Sequence, residues 1–167
     1  VTVSGFWLRN GQTGIYLKEA KNCQIMGNKF TNISLYATLT GGVAIYAERC
    51  SNLTIKENFF TEIDSFNVYL VSSNNCNIAS NMFISTRRHS QAIGLRYSHR
   101  NVIEWNKIYG SREVTEGGIG LSSSHRNVIR YNDIRENDWC GISILNSNKT
   151  IIVGNNITKQ EIQTGLF

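Results

Sequence analysis

The sequence predicts an all-β solenoid of about six turns, in which each turn contributes three short parallel strands. The phrase Asn, any residue, then Phe or Ile recurs six times, at intervals of 30, 23, 25, 26 and 23 residues. A near-constant period of this length is typical of solenoids, whose turns bury their apolar faces against their neighbours. Apolar and polar residues alternate around each copy with the two-residue period of β-strands. The copies start at Asn28, Asn58, Asn81, Asn106, Asn132 and Asn155.

Each repeat consists of three strands joined by turns without any helical stretch. The first strand has the pattern Gly, apolar residue, any residue, apolar residue, as in Gly14–Leu17 and Gly118–Leu121. The second is a short apolar strand such as Leu53–Ile55, and the third carries the Phe or Ile that follows the repeat Asn. We expect the apolar side chains to stack in columns inside the coil. We also expect the Asn side chains to form a hydrogen-bonded ladder between turns.

The repeat pattern resembles the right-handed parallel β-helix repeat family, and in particular its Asn-rich branch. The resemblance covers essentially the whole chain. It implies a single-stranded right-handed parallel β-helix. The branch includes carbohydrate-binding and sugar-hydrolase modules, and the periplasmic copper-accessory proteins of nitrous oxide reductase. The resemblance is specific for the fold and permissive for function, because this fold carries many activities.

Residues 1–167 are expected to form one β-helix domain that is a fragment of a longer β-helix. Val1–Leu8 matches the second and third strands of an incomplete repeat, with Phe6 in the position of the repeat Asn. Gly165–Phe167 matches the start of a further first strand. Neither end has a recognisable cap, and solenoids need their ends covered to avoid edge-to-edge association. The alternative is that a partner, or copies of the chain itself, cover the ends.

Charge and cysteine content limit the partners. The net charge is +5, and residues 87–135 hold nine Lys or Arg against four Asp or Glu, which suggests an anionic partner or simply a solvated face. No nucleic-acid motif is present, and the apolar runs are too short to span a membrane.

The four cysteines lack metal-ligand spacing, and Cys23 and Cys76 lie two turns, or roughly 10 Å, apart. We interpret the cysteines as small buried apolar residues.

The outward positions of the first strands form the most plausible binding face. Aromatic rings stack on sugars, and guanidinium groups pair with carboxylates or sulfates. The sequence therefore predicts substrate-binding roles for Tyr16, Lys18, Tyr46, Tyr69 and Arg96, with Trp139 from a neighbouring loop. The alternative is that aromatic residues are simply good strand formers on a solvated sheet. One predicted column is Tyr16, Ala44, Tyr69, Gly94, Gly120 and Ser143, and the other is Lys18, Tyr46, Val71, Arg96, Ser122 and Leu145.

The loops that enter the first strands vary in length and carry clustered ionisable residues. The candidate catalytic residues among them are Arg88, His89, Glu113, Glu116 and Asp138. Two carboxylates on adjacent turns could serve a glycoside hydrolase as acid and base or nucleophile. A carboxylate, His or Arg could instead accept a proton in a lyase or epimerase. Exposed loop carboxylates are also commonly only solvated, so whether the chain is an enzyme stays open.

A six-residue identity repeat is the sharpest local feature. Ser98–Ile103 recurs as Ser124–Ile129 at an offset of 26 residues, so His99 should stack near His125, with their following arginines also adjacent. Stacked imidazoles could bind a transition metal, as in the copper-accessory relatives, or the arginines could bind an anion. The third reading is a duplicated turn with exposed His and Arg. Neighbouring Arg side chains disfavour a cation and no third ligand is evident, so no metal site or cofactor is assigned.

These observations lead to one principal hypothesis and two alternatives. The chain is expected to be a carbohydrate-binding or carbohydrate-processing module that is secreted, periplasmic or on the cell surface. Its partner would be an extended polysaccharide or oligosaccharide, either acidic or neutral. The first alternative is a structural spacer that assembles through its solenoid ends. The second is a copper-accessory protein that binds metal at the paired histidines.

Overall fold

The computed structural model describes residues 1–34, 41–86, 91–110, 117–137 and 140–158, with the side chains of residues 85 and 86 left out of the description. Twenty strands occur in these ranges. In chain order they are β1 (Thr2–Ser4), β2 (Trp7–Arg9), β3 (Thr13–Lys18), β4 (Gln24–Met26), β5 (Lys29–Ile33), β6 (Val43–Glu48), β7 (Thr54–Lys56), β8 (Phe59–Ile63), β9 (Val68–Val71), β10 (Asn77–Ala79), β11 (Met82–Thr86), β12 (Ile93–Arg96), β13 (Val102–Glu104), β14 (Lys107–Tyr109), β15 (Ile119–Ser122), β16 (Val128–Arg130), β17 (Asp133–Arg135), β18 (Ile142–Leu145), β19 (Ile151–Val153) and β20 (Asn156–Thr158).

The strands form three parallel sheets that wind into a β-helix. The first-strand sheet has the order β3-β6-β9-β12-β15-β18. The second-strand sheet runs β1-β4-β7-β10-β13-β16-β19, and the third-strand sheet runs β2-β5-β8-β11-β14-β17-β20. Each strand therefore pairs with its equivalent one turn away. The predicted all-β parallel solenoid with three strands per turn is confirmed, and no helix in the described residues is long and apolar enough to cross a membrane.

The interior consists of stacked columns of like side chains, as the repeat predicts. Phe30, Phe60 and Phe83 stack with ring centroids 4.8 Å apart at each step and are at most 1% exposed. Ile108 and Ile134 continue the same column and are fully buried. Cys23, Cys50 and Cys76 are buried free thiols, as predicted, whereas Cys140 is only partly buried. Burial raises the pKa of Cys76 to about 11.

The repeat asparagines form the predicted ladder between the second-strand and third-strand sheets. The side-chain amide of Asn58 donates to Oδ1 of Asn81 at 3.0 Å, and the amide of Asn81 donates to Oδ1 of Asn106 at the same distance. Each Oδ1 also accepts the backbone N–H of the preceding ladder residue. Phe6 occupies the Asn position of its turn, as predicted, because its backbone N–H donates to Oδ1 of Asn28. The ladder satisfies buried polar groups at every turn, which fixes the corner.

One predicted alignment is wrong. The register pairs Tyr16 with Tyr46 and Tyr46 with Tyr69, so Tyr46 belongs to the column of Tyr16 and Tyr69 rather than to that of Lys18. Glu48, and not Tyr46, lies opposite Lys18. The predicted alignment matched Gly42 to Gly14, whereas β6 is shifted by two residues toward its C-terminal end. A two-residue shift keeps the same side chains outward, so it passes unnoticed in the alternation pattern.

Candidate functional site

An aromatic ladder runs along the outer face of the first-strand sheet. The rings of Tyr16 and Tyr46 stack at 5.3 Å, and those of Tyr46 and Tyr69 stack at 5.7 Å. Phe66, which precedes β9, stacks on Tyr69 at 4.1 Å with nearly parallel planes. Because the rings face one another, the tyrosines present mainly edges and hydroxyl groups to solvent. This differs from the expected surface of exposed tyrosine faces.

Gly94 makes room for the last ring of this ladder. Gly94 pairs with Tyr69 on the neighbouring parallel strand, one turn further along the coil. A Cβ placed on Gly94 would lie 2.6 Å from a ring carbon of Phe66. The Phe66 ring therefore covers the place that the next side chain of the column would fill. Since one face of this ring contacts Tyr69, its other face is directed toward the following turn. On that turn a Cβ placed on Gly120 would overlap the Gln91 side chain, so Gln91 covers Gly120 as Phe66 covers Gly94.

A groove of about 610 Å³ lies at this end of the aromatic ladder. Its polar groups include a guanidinium, an amide and two hydroxyls, the kinds of group that orient a sugar ring. Gln91 donates from Nε2 to the hydroxyl of Ser143 at 3.4 Å. The lining residues that the site uses are Phe66, Tyr69, Gln91, Arg96, Ser122 and Ser143.

Arg96 connects the groove to the aromatic ladder. It is exposed, and its guanidinium carbon lies 5.2 Å from the ring centroid of Tyr97. Hydrogen bonding to Tyr97, and then to Tyr69, raises the pKa of Arg96, so the group is a permanent cation at this place. A carboxylate or sulfate entering the groove would meet this positively charged donor beside the Tyr97 ring.

Acidic residues flank the opposite end of the ladder. The hydroxyl of Tyr16 donates to Glu48 at 2.9 Å, and this bond is the main cause of the raised pKa of Tyr16. Arg49 forms ion pairs with Glu19 and Glu48. Burial raises the pKa of Tyr46, with Glu48 contributing next. Lys18 is exposed beside Glu48 in the register, so its surroundings carry both signs of charge and do not form a cationic site.

The structure thus brings some predicted residues together and leaves others apart. Tyr69 and Arg96 line one groove, while Tyr16, Tyr46 and Lys18 lie on earlier turns of the same face. Phe66 and Gln91 were missed, although the bare Gly94 and Gly120 in the outer column were a signal that loop side chains cover them. The remaining predicted residues, Arg88, His89, Glu113, Glu116, Asp138 and Trp139, lie outside the described residues.

The duplicated turn forms a second surface, at the corner between the first-strand and second-strand sheets. The rings of His99 and His125 stack at 5.1 Å with an angle of 3° between their planes, as predicted. Nδ1 of His99 accepts the backbone N–H of His125 at 2.9 Å, and Nδ1 of His125 accepts that of Asn148 at 2.9 Å. One turn earlier, Oδ1 of Asn74 accepts the N–H of His99. The histidines therefore act as rungs of a ladder.

Taken together, the described residues define a parallel β-helix with a polar, partly aromatic groove on one sheet. The chain belongs to the family described as periplasmic copper-binding protein (NosD), which matches residues 1–167. No curated protein matches the chain at a significant level.

Solved structures share the coil. A double mutant of the periplasmic alginate epimerase AlgG superposes with a TM-score of 0.76 and 22% identity, over 91% of this chain and 35% of that one. AlgG without a named mutation gives a TM-score of 0.60 and 16% identity, over 98% of this chain and 48% of that one. At this identity the likeness shows the fold alone. The chain spans about a third to a half of the length of these structures.

The described residues do not fit a copper ion. No group of three or more His, Cys, Asp or Glu side chains comes together among them. His99 and His125 are the nearest arrangement, but each uses its Nδ1 lone pair on a backbone N–H. Binding a metal through Nε2 would require the Nε2 proton to move to Nδ1, which would break that hydrogen bond. The neighbouring Arg100 and Arg126, which contribute to the lowered pKa of His99, also oppose a cation.

Proposed function

We propose that this chain is an extracytoplasmic carbohydrate-recognition module that binds an extended, acidic polysaccharide across the outer face of its first-strand sheet. The binding centre is the groove at the end of the aromatic ladder. The observation that carries the proposal is the combination, in one groove, of the Phe66 ring, the Arg96 guanidinium and the polar side chains of Gln91 and Ser143.

Each group has a distinct role in this proposal. The part of the Phe66 ring that lines the groove packs against the apolar face of a sugar ring, because apolar area removed from water stabilises the complex. Arg96 forms a charge-assisted hydrogen bond with an acidic substituent of the sugar. Gln91 and Ser143 exchange hydrogen bonds with ring hydroxyls. The lining residues come from or adjoin four successive strands of the first-strand sheet, β9, β12, β15 and β18, so an extended glycan in the groove crosses several turns.

The family and the similar structures support two parts of this proposal. The family description is of a periplasmic protein, which supports a location outside the cytoplasm. The solved structures with this coil are of a periplasmic enzyme named for alginate, which supports a polysaccharide partner. Processing of the bound chain is a further part of the proposal. The candidate residues for it precede the groove directly in sequence, since Arg88 and His89 lie just before Gln91.

The proposal is tested by measuring binding to neutral, uronic and sulfated oligosaccharides of equal length. We expect an acidic oligosaccharide to bind best, with affinity that falls as salt increases. Arg96→Gln should weaken that binding about tenfold or more, the size of a lost charge-assisted hydrogen bond. Arg9→Gln is the matched control, because Arg9 is an exposed arginine on the third-strand sheet. Equal losses in both variants, or no binding to any glycan, would reject the proposal.

A further inference from the structure

One column of corner residues changes its chemistry halfway along the solenoid. The column follows the first-strand sheet, and each of its members has a left-handed φ between 54° and 59°. Asparagine tolerates this conformation better than other residues with a side chain. The first three members are asparagines and the next three are cations, although the backbone is the same. The members are Asn22, Asn52, Asn75, Arg100, Arg126 and Lys149.

In the duplicated motif Ser-His-Arg-Asn, every residue except the arginine forms side-chain hydrogen bonds that connect neighbouring turns. The hydroxyl of Ser124 accepts the backbone N–H of Ser98, and Oδ1 of Asn127 accepts that of Asn101, in both cases one turn away. The histidine is likewise a ladder rung. Three of the four residues of the motif are therefore accounted for by hydrogen bonds between turns. Arg100 and Arg126 are exposed and form no ion pair among the described residues.

Elsewhere along the described ranges, several arginines are neutralised by carboxylates. Arg49 contacts Glu19, Arg130 contacts Glu104 at 2.7 Å, and Arg135 contacts Asp133 at 2.6 Å. At the corner, like charges instead repeat on consecutive turns. Such a column repels itself and attracts anions from outside the chain.

The corner cations surround a groove of about 570 Å³. None of the described residues that line it is acidic. Because each histidine Nδ1 accepts a backbone N–H, the proton of the neutral ring lies on Nε2, which leaves an N–H donor on each ring. The groove therefore offers cations, ring N–H groups and asparagine amides. Its lining is Asn74, Asn75, His99, Arg100, His125, Arg126, Asn148 and Lys149.

We propose that this corner is a second binding site, which takes the carboxylate or sulfate groups of an acidic polysaccharide. Oxyanions are the ligands that match guanidinium, ammonium and imidazole N–H donors. The cations follow one another at the spacing of the turns, which is 5.1 Å between the stacked His99 and His125 rings, so a chain with repeated anionic groups satisfies several of them at once. The lining has no Phe, Tyr or Trp, whereas sites for single-stranded nucleic acid combine cations with such stacking rings.

This site goes beyond the groove beside Phe66 and does not require that groove to bind. The test is titration of the protein with sulfated and uronic oligosaccharides, with inorganic sulfate as the minimal probe. The test variant replaces Arg100, Arg126 and Lys149 with Asn, the residue that the first three turns carry in the same column. The fold should therefore be retained, as thermal unfolding will show. This triple variant and a control triple variant are compared in the Arg96→Gln background, which weakens binding in the groove beside Phe66, and there we expect at least a tenfold loss of affinity for an acidic oligosaccharide and a weaker dependence on salt.

The control removes the same charge from another surface, through Arg9→Gln, Lys29→Gln and Lys107→Gln, all exposed on the third-strand sheet. It should reduce affinity less than threefold. Equal losses in the two triple variants would overturn the proposal, because they would show a general effect of net charge. Tighter binding of a single-stranded oligonucleotide than of any acidic glycan would also overturn it. The single variant Arg126→Asn provides the same comparison should the triple variant fold poorly.

Discussion

The first three full turns of the solenoid and the last three share the same backbone coil and the same asparagine ladder, but they carry different types of residue on their outer surface. Early turns carry Tyr16, Tyr46 and Tyr69 on the outer sheet, where later turns carry Gly94, Gly120 and Ser143. At the corner between the first-strand and second-strand sheets, the early turns carry asparagines and the later turns carry Arg or Lys. The interior also changes, from stacked phenylalanines to isoleucines, without altering the backbone.

This difference shows which positions the fold dictates and which it leaves free. The ladder asparagines repeat because each turn has the same buried polar groups that need hydrogen-bond partners, and the core columns repeat because each turn has to bury its apolar side chains against the next. Exposed columns carry no such requirement, so a change there that costs stability points to a ligand. Both proposed sites begin where the column chemistry changes, at Gly94 on the sheet and at Arg100 on the corner.

The largest effect is expected from the aromatic interior of the early turns. Phe60→Ala removes a fully buried ring that stacks on both neighbours, and it should lower the free energy of unfolding by about 3–5 kcal/mol. Ile134→Val, in the same column of the later turns, should cost only about 1 kcal/mol. Chemical denaturation measures both. A cost below about 1 kcal/mol for Phe60→Ala would contradict the idea that this column holds the coil together.

The next effect concerns the asparagine ladder common to both halves. Asn81→Ala leaves the backbone N–H of Asn58 and the carbonyl of Ile55 without their buried partner, so it should cost about 2–3 kcal/mol. Asn52→Gly is the control. Asn52 is exposed at the corner with φ of 54°, a conformation that glycine adopts freely. Denaturation of the two variants should separate them clearly, and equal costs would show that the ladder adds nothing.

Acid should destabilise the histidine corner of the later turns. Burial, followed by the charges of His125, Arg100 and Arg126, lowers the pKa of His99 from its ordinary value near 6.5. As the pH falls below that value, the unfolded chain takes up the proton more readily than the folded chain, so stability decreases until the folded-state pKa is passed. His99→Asn keeps a ladder acceptor, as Asn74 does one turn earlier, and removes this titration.

Thermal unfolding of both proteins between pH 7 and pH 5 provides the measurement. The variant should lose less stability than the wild type over this range. The same variant should leave any affinity for copper ions unchanged. An identical loss of stability in both proteins, or a copper affinity that depends on His99, would count against the hydrogen-bonded neutral ring.

The smallest effect is expected at the corner cations. Arg126→Asn places the residue best suited to a left-handed φ of 59°, and relieves repulsion from Arg100, so it should stabilise the chain by about 0.5 kcal/mol. The same change should weaken binding of an acidic oligosaccharide. Thermal melting without and with the oligosaccharide separates the two effects. A variant that is destabilised would show that Arg126 has a structural role that its contacts do not reveal.

The coil could be predicted from the sequence because each repeat presents the same requirements. The period of Asn28, Asn58 and Asn81 fixes the third strands, and the alternation around them fixes which side chains enter the core. The identity repeat also placed His99 on His125 correctly. These features depend only on contacts between equivalent residues one turn apart.

The site was predicted only in part, for three physical reasons. The repeat that starts at Asn28 is the longest, at 30 residues, and its extra length lies before β6, so Tyr46 was aligned with Lys18 although it stacks between Tyr16 and Tyr69. Phe66 comes from a connection rather than from a strand, and no repeat pattern specifies where such a side chain lies. The histidine Nδ1 bonds were likewise not evident, because a sequence does not reveal which ring nitrogen accepts a backbone N–H.

The most direct test of this account asks whether the ring at the boundary between the two halves is the sugar platform. Titration calorimetry should compare an acidic oligosaccharide binding to wild type, Phe66→Ala and Tyr131→Ala, since Tyr131 is an exposed ring on a different corner, stacked on Trp105 at 4.6 Å. We expect Phe66→Ala to weaken binding about tenfold, or about 1.4 kcal/mol, and Tyr131→Ala to leave it within about twofold. Unchanged affinity in Phe66→Ala, or a larger loss in Tyr131→Ala, would contradict it.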